Sequence, residues 1–499
     1  MAPLLGADQA WWRSPLAWRT EILAAMVVGI ALIPEAISFS VIAHVPPSIG
    51  LFASFTMAVT IAIVGGRRAM ISAATGSTAL VLAPLSQQHG LQYLIAAVLL
   101  AGLMQVVLGL AGVAQLMRYV PRSVSVGFVN ALGILLFKAQ WPNLEHVPSA
   151  VYALAAGGLL IIGFFPRVNK VIPPPLVAIV VVTVITVAAG LDAVPTVGDQ
   201  GALPDALPVP GLPDVPFTFH TLSIIALPAF TMAIVGLLET QMTARLVDDL
   251  TDTGSNKDRE SWGQGIANLV TGVFGGMGGC AMIGQTMINV KSGARTRVST
   301  FLAGVFLLIL VVALHPIVSR IPMAALVAVM FFVAFSTFDW NSVSPQHLKR
   351  MPKSETSVMV VTVVLTVATG NLSIGVLAGV VLAALLFARR VQRLTSVTRL
   401  VPERRTGPGA DGDTATYTVR GELFFASSSD LTDHFDYAGD PEHVVVDLTD
   451  AHVWDASTVA ALDRVVTKYA HHGKRVELVG MNDASSAFHR NLAGQLDAS

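Results

Sequence analysis

Two carboxylates stand where a membrane protein ordinarily excludes them. Glu35 lies in Gly29-Ile-Ala-Leu-Ile-Pro-Glu-Ala-Ile-Ser-Phe39, and Glu239 in Met232-Ala-Ile-Val-Gly-Leu-Leu-Glu239-Thr-Gln241. Both sit deep inside long apolar runs. An ionised carboxylate at mid-membrane costs at least about 2.5–3.5 kcal/mol, so each must be protonated, paired, or turned toward water. Pro34 also releases a backbone carbonyl next to Glu35, which suits a helix that lines a cavity. Proton exchange with an aqueous path is the chemistry such residues can perform.

Two further segments break the apolar pattern with small residues: Ser72-Ala-Ala-Thr-Gly76-Ser77-Thr78-Ala-Leu80 and Gly275-Gly-Met-Gly-Gly-Cys280-Ala-Met-Ile283-Gly284-Gln285-Thr286. Neither continues a membrane helix easily, so each predicts extended backbone followed by a half-helix. The unbonded N–H groups and positive dipole end of a half-helix favour an anion. Interrupted segments at matching places in two halves point to a transporter's binding site. Taken singly, each is also readable as close helix packing through small residues, a reading that fits the pair less well. The residues remaining give little else. Lys138 reads as a snorkelling side chain beside Asn130 on the fifth span, the lone Cys280 as a packing residue, and the histidines form no ligand-spaced cluster. No metal or cofactor is expected.

The elements that must position these residues are membrane helices. Of 499 residues, 53% are hydrophobic and only 13% charged, with a net charge of −1 and a mean hydropathy of +0.66. This excludes a basic nucleic-acid binder and an ordinary soluble enzyme. Division of the apolar stretches at polar breaks predicts fourteen spans between Glu21 and Arg393. Basic residues fall on alternate loops: Arg67-Arg68, Arg118 to Arg122, Arg167 to Lys170, Arg245 to Arg259, Lys291 to Arg297, Lys349 to Lys353, and Arg389 onward. The intervening loops are nearly free of them, with Arg320 the exception. By the positive-inside rule both termini are cytoplasmic, at an inner membrane. The first apolar run is too long for a cleaved signal and should stay as a span.

Charge also divides the chain lengthwise. Residues 1–400 hold 23 basic and 16 acidic side chains, whereas 401–499 hold 8 and 16. A strand at 416–425, a helix at 428–437, a strand at 443–449, a helix at 457–471, a strand at 474–480 and a helix at 484–496 predict a small α/β domain. The expected boundaries are a transmembrane domain at 1–395, with repeats near 15–195 and 215–395, a linker at 396–412, and the soluble domain at 413–499.

The chain resembles the SulP anion transporters, called solute carrier family 26 in animals. The stretch Ile33-Pro-Glu-Ala-Ile-Ser-Phe-Ser-Val-Ile-Ala-His-Val-Pro-Pro-Ser-Ile-Gly-Leu51 is similar to that family's signature. So is Asn256-Lys-Asp-Arg-Glu-Ser-Trp-Gly-Gln-Gly-Ile-Ala-Asn268, followed by Gly275-Gly276 and Gly293-Ala-Arg-Thr296. The tail, with Val444-Val-Val-Asp-Leu-Thr449 and Asp455-Ala-Ser-Thr458, resembles a STAS domain. The resemblance implies an α-helical polytopic protein of fourteen spans as seven-plus-seven inverted repeats. Spans 1–4 and 8–11 would form a core, and spans 5–7 and 12–14 a gate. It implies an anion between the N-termini of half-helices 3 and 10, with Glu35 and Phe39 nearby; the residues expected to hold it are Phe39, Gly76, Ser77, Thr78, Ile283, Gly284, Gln285 and Thr286, and those expected in proton coupling are Glu35 and Glu239. It also implies a homodimer, and leaves room for a cytoplasmic protein partner of the STAS domain.

One departure is chemically informative. Many members place arginine where this chain has Gln285, so no fixed positive charge offsets Glu35 near the anion. A proton entering with the anion would, which predicts proton-coupled symport. A small dicarboxylate such as fumarate suits a site between two dipole ends. Sulfate, bicarbonate, exchange and channel-like conduction stay open. Gln285 and the STAS tail count against a nucleobase transporter, and no nucleophile–base pair supports an intramembrane enzyme. A membrane-anchored STAS regulator would not need two intramembrane acids and two broken helices. The STAS turn lacks the glycine of phosphorylated homologues, which argues against phosphorylation at Ser457.

Overall fold

A computed structural model describes residues 15–112, 120–168, 173–201, 207–400 and 414–494. Arg118, Lys170 and the linker beyond Leu400 lie outside the described residues. Two compact units are present, 1–380 and 381–499.

The first seven long helices are α1 (Pro15–Ile42), α2 (Pro47–Val64), α3 (Gly76–His89), α4 (Leu91–Leu110), α5 (Arg122–Ala139), α6 (Ser149–Phe164) and α7 (Pro174–Ala188). Seven more follow: α8 (Phe219–Thr251), α9 (Lys257–Val273), α10 (Ile283–Lys291), α11 (Arg297–Ala313), α12 (Met323–Thr337), α13 (Lys353–Thr369) and α14 (Leu372–Gln392). Among the described residues, seven helices are long and apolar enough to cross a bilayer, and α7, α11 and α12 are shorter apolar helices. The third helix of each set is short and follows an extended break, as the small-residue stretches predict. α10 has only nine residues.

Packing sorts these helices into two groups. α4 packs most extensively on α9, α1 and α2 pack on α11, and α3 and α4 pack on α8. In the other group α5 packs on α12 and α13, and α12 on α6 and α7. Core and gate therefore each draw helices from both halves. Small residues permit the close approaches: a Cβ on Gly102 of α4 would lie 2.9 Å from the Gly265 carbonyl of α9, and one on Gly265 would lie 2.6 Å from the Gly102 carbonyl. In the gate, Gly375 of α14 meets Thr366 of α13 in the same way. α1 stays helical through Pro34, and the Ser38 hydroxyl donates to the Pro34 carbonyl at 2.8 Å.

The soluble unit carries a four-stranded sheet in the order β3 (Ser396–Leu400), β4 (Thr414–Leu423), β5 (His443–Val453) and β6 (Arg475–Val479). β4, β5 and β6 are parallel, and β3 joins β4 antiparallel as an edge. The sequence reads 396–412 as linker, but its first five residues form this strand. Their side chains are mostly exposed and charged or hydroxylated, so they show no half-buried alternation. Helices α15 (Phe425–Leu431), α16 (Ala456–His471) and α17 (Asp483–Leu492) complete the domain. The Asp455 carboxylate caps α16 by accepting from the Thr458 N–H at 3.0 Å. The core joins Tyr417, Val446, Leu448, Leu462 and Tyr469. At its edge the buried Asp440 carboxylate accepts from both tyrosine hydroxyls, at 2.7 and 2.5 Å, and pairs with Arg399 of β3 at 2.5 Å.

Candidate functional site

The two breaks meet. Residues Ser72–Ala73 (β1) and Cys280–Ala281 (β2) pair antiparallel, Ser72 opposite Ala281 and Ala73 opposite Cys280. The Met282 N–H extends the ladder by donating to Ile71 at 2.8 Å. Each strand then runs directly into a half-helix, so the N-termini of α3 and α10 start from one short ribbon.

Neither half-helix is capped by its own N-cap side chain, Thr75 or Met282. The first intrahelical bonds are Ala79 N–H to Thr75 and Thr286 N–H to Met282, both 3.0 Å. The N–H groups of Gly76, Ser77 and Thr78, and of Ile283, Gly284 and Gln285, therefore precede the helical ladder. Each N-terminus carries the equivalent of roughly half a positive charge. Six N–H groups and two dipole ends can bind an anion without any lysine or arginine.

The side chains divide this region into an accessible and a buried part. Gly284 is exposed, and a Cβ there would meet nothing within 4 Å, so open space adjoins the start of α10. Glu35 of α1 is half-buried beside it and accepts from Gln285 Nε2 at 3.0 Å. Gln285 Oε1 is buried and, among the described residues, without a partner. Phe39 lies one helical turn on from Glu35, and its ring edge would stand 3.0 Å from a Cβ on Gly76. Leu136 of α5 approaches the same point at 2.6 Å, which brings the gate against the start of α3.

Behind the breaks, Glu239 of α8 is 7% exposed. Its Oε2 accepts from the Ser77 hydroxyl and, at 3.1 Å, from the Cys280 thiol. Thr75 bonds Ser77 at 3.1 Å, Thr78 at 3.0 Å and Cys280 at 3.2 Å. Ser77 and Thr78 therefore turn their hydroxyls toward Glu239 and Thr75, and only their N–H groups remain for an anion. Thr286 is likewise occupied, since its hydroxyl accepts from the Ile71 N–H at 3.0 Å. The geometry thus joins Glu35 to Gln285 and sets Phe39 against Gly76, while the three hydroxyls act as braces.

Several braces lie outside the residues singled out from sequence. Asn268 of α9 donates to the Gly279 carbonyl at 3.1 Å and accepts from the Gly279 N–H at 2.9 Å. Gln264 donates to the same carbonyl at 3.2 Å and accepts from Ser72 at 3.0 Å. Gln105 of α4 accepts from Asn268 at 2.8 Å. These side chains satisfy extended backbone that would otherwise be unbonded in a dry interior. Gln264 and Asn268 fall within the second signature stretch, which was the available signal. Two buried acids fix loops in the same manner. Glu21 accepts from the N–H groups of Arg295 (2.7 Å) and Thr296 (3.1 Å), and Glu260 from those of Gly66 (2.6 Å) and Arg67 (2.8 Å).

Two broken helices held head to head inside a two-group helical membrane protein define a transporter of the inverted-repeat class. The Sulfate permease family profile matches residues 18–156 and 141–362, and the STAS domain profile residues 408–490. The chain is 51% identical, over 95% of its length and 97% of the relative's, to YbaR of Bacillus subtilis (strain 168), named as a candidate sulfate transporter. It is 25% identical to the bicarbonate transporter BicA of Picosynechococcus sp. (strain ATCC 27264 / PCC 7002 / PR-6), over 93% of this chain and 92% of that one. Among solved structures, the transmembrane domain of a cyanobacterium BicA superimposes with a TM-score of 0.63 at 25% identity, covering 73% of this chain and 98% of that one. Murine Solute Carrier 26 family member A9, in its inward-facing state, shares the fold with a TM-score of 0.81 at 18% identity, covering 98% of this chain and 92% of that one. The chain belongs to the Sulfate permease family, a family of anion transporters and not of enzymes.

Proposed function

We propose that the chain is a secondary active symporter that carries a small anion together with a proton. The anion binds between the N-termini of α3 and α10, against Phe39, Gly76, Ile283, Gly284 and Gln285, chiefly through backbone N–H groups. Movement of the core group against the gate group then exposes the site to alternate sides of the membrane.

The observation that carries the coupling is the Glu35–Gln285 pair at 3.0 Å beside the open space at Gly284. A carboxylate there repels the anion, and a proton removes the repulsion. A glutamine partner accommodates both states: its NH2 donates to a carboxylate, and turned over its oxygen accepts from a carboxylic acid. An arginine at this position would hold Glu35 charged. Glu239 is the second coupling candidate, because Ser77 and Cys280 link it to the start of α3.

A divalent oxyanion suits two facing dipole ends, and a dicarboxylate such as fumarate has a carboxylate for each. Sulfate is the second reading, favoured by the name of the 51% identical relative, and bicarbonate transport is the activity in BicA's name. Uptake of radiolabelled fumarate, sulfate and bicarbonate into proteoliposomes separates them. Saturable, protein-dependent uptake of one supports the reading, and uptake of none overturns it.

The same reading places the chain in the inner membrane with both termini cytoplasmic. It divides into a transport domain at 1–395 and a STAS domain at 413–499, and it works as a homodimer whose STAS domain offers a surface to a cytoplasmic protein.

A further inference from the structure

The last turn of α14 carries arginines that the transport site does not use. α14 ends at Gln392, and a turn, with Leu394 N–H donating to Val391 at 2.9 Å and Thr395 N–H to Gln392 at 3.1 Å, leads into β3. Arg389 and Arg393, four residues apart, line a cavity of about 340 Å³. Val397 of β3, Ser427 and Leu431 of α15 and His434 in the turn after it contribute to the same walls. Both arginines are exposed, and among the described residues neither forms an ion pair. Among the described residues, no Asp or Glu belongs to the lining.

Two guanidinium groups on one side of a cavity present a set of donors matched to a tetrahedral oxyanion, and arginine is the residue best suited to phosphate. The volume equals roughly ten water molecules at about 30 Å³ each, more than a bare inorganic ion requires. The apolar wall of Val397 and Leu431 has room for the organic part. The cavity also adjoins the basic end of a membrane-spanning helix, where phospholipid headgroups concentrate.

We propose that this cavity binds a phosphate monoester, supplied either by a soluble phosphorylated metabolite or by phosphatidic acid. Two arms separate the sources. In one, the full chain in phosphatidylcholine nanodiscs is titrated calorimetrically with glycerol 3-phosphate. In the other, phosphatidic acid replaces part of the phosphatidylcholine and bound lipid is counted by native mass spectrometry. Saturable binding is expected in at least one arm, weakened about tenfold or more by R389Q or R393Q and abolished by the pair. R390Q, whose arginine does not line the cavity, retains it. The R389K/R393K pair, which keeps both charges, recovers part of the affinity and shows that folding is intact. Absence of saturable binding in both arms, or binding equal in the R389Q/R393Q pair, overturns the proposal.

Discussion

Gly284 offers the sharpest probe of where the anion sits. A methyl group added there meets nothing within 4 Å, so the fold should accept Gly284→Ala without strain. Replacing a helical glycine by alanine is expected to stabilise α10 by up to about 1 kcal/mol. The same methyl would occupy the space through which an anion reaches the N–H groups of Ile283, Gly284 and Gln285. A hydrogen bond to a charged group contributes about 1.5–3 kcal/mol, so losing one raises the apparent KM roughly ten- to hundredfold. Concentration-dependent uptake into proteoliposomes, measured beside the melting temperature of the detergent-solubilised protein, tests both halves. Impaired uptake with an unchanged or raised melting temperature is expected. An unchanged KM would remove this space from the anion's path.

Three other outcomes follow from the supporting structure. Glu260→Ala leaves the Gly66 and Arg67 N–H groups without their acceptor, at about 1–3 kcal/mol each, so the melting temperature should fall. Asp440→Ala removes the shared acceptor of Tyr417 and Tyr469, and a calorimetric scan of the full chain should show the soluble domain unfolding earlier. Burial and the charge of Asp433 push the Tyr437 hydroxyl from 10 up to about 12. The folded domain therefore holds that proton after the unfolded chain releases it, and its stability should decline as pH rises from 10 toward 12. Chemical denaturation across that range, followed by tyrosine absorbance, checks the sign.

How much of this was legible from sequence depends on whether a residue's role is local. Glu35 and Glu239 stand out because each is a charge in an apolar run. Gly275–Gly279 and Thr75–Ser77 announce broken helices because small residues cannot continue a span. The fourteen spans and the α/β tail follow from periodicity and charge. The contacts are not local. Gln285 and Glu35 are 250 residues apart, and no spacing rule joins them. The hydroxyls of Ser77, Thr78 and Thr286 look like substrate ligands in one dimension, yet in the fold they brace Glu239, Thr75 and Ile71. Gln264 and Asn268 stand in the second signature stretch and Gln105 in an apolar span, but what they satisfy is not legible, because the extended backbone comes from other segments. β3 escapes notice because an edge strand with exposed Thr398 and Arg399 carries no burial pattern.

The central claim is that a proton accompanies the anion and that Glu35 carries it. The direct measurement is initial uptake of the transported anion into proteoliposomes, with and without an inward proton gradient, for the unaltered chain and for Glu35→Gln. Uptake by the unaltered chain should accelerate when the gradient is imposed, while Glu35→Gln, neutral at every pH, should transport at a rate indifferent to it. Equal rates for the unaltered chain with and without the gradient, or full gradient dependence in Glu35→Gln, would contradict the account.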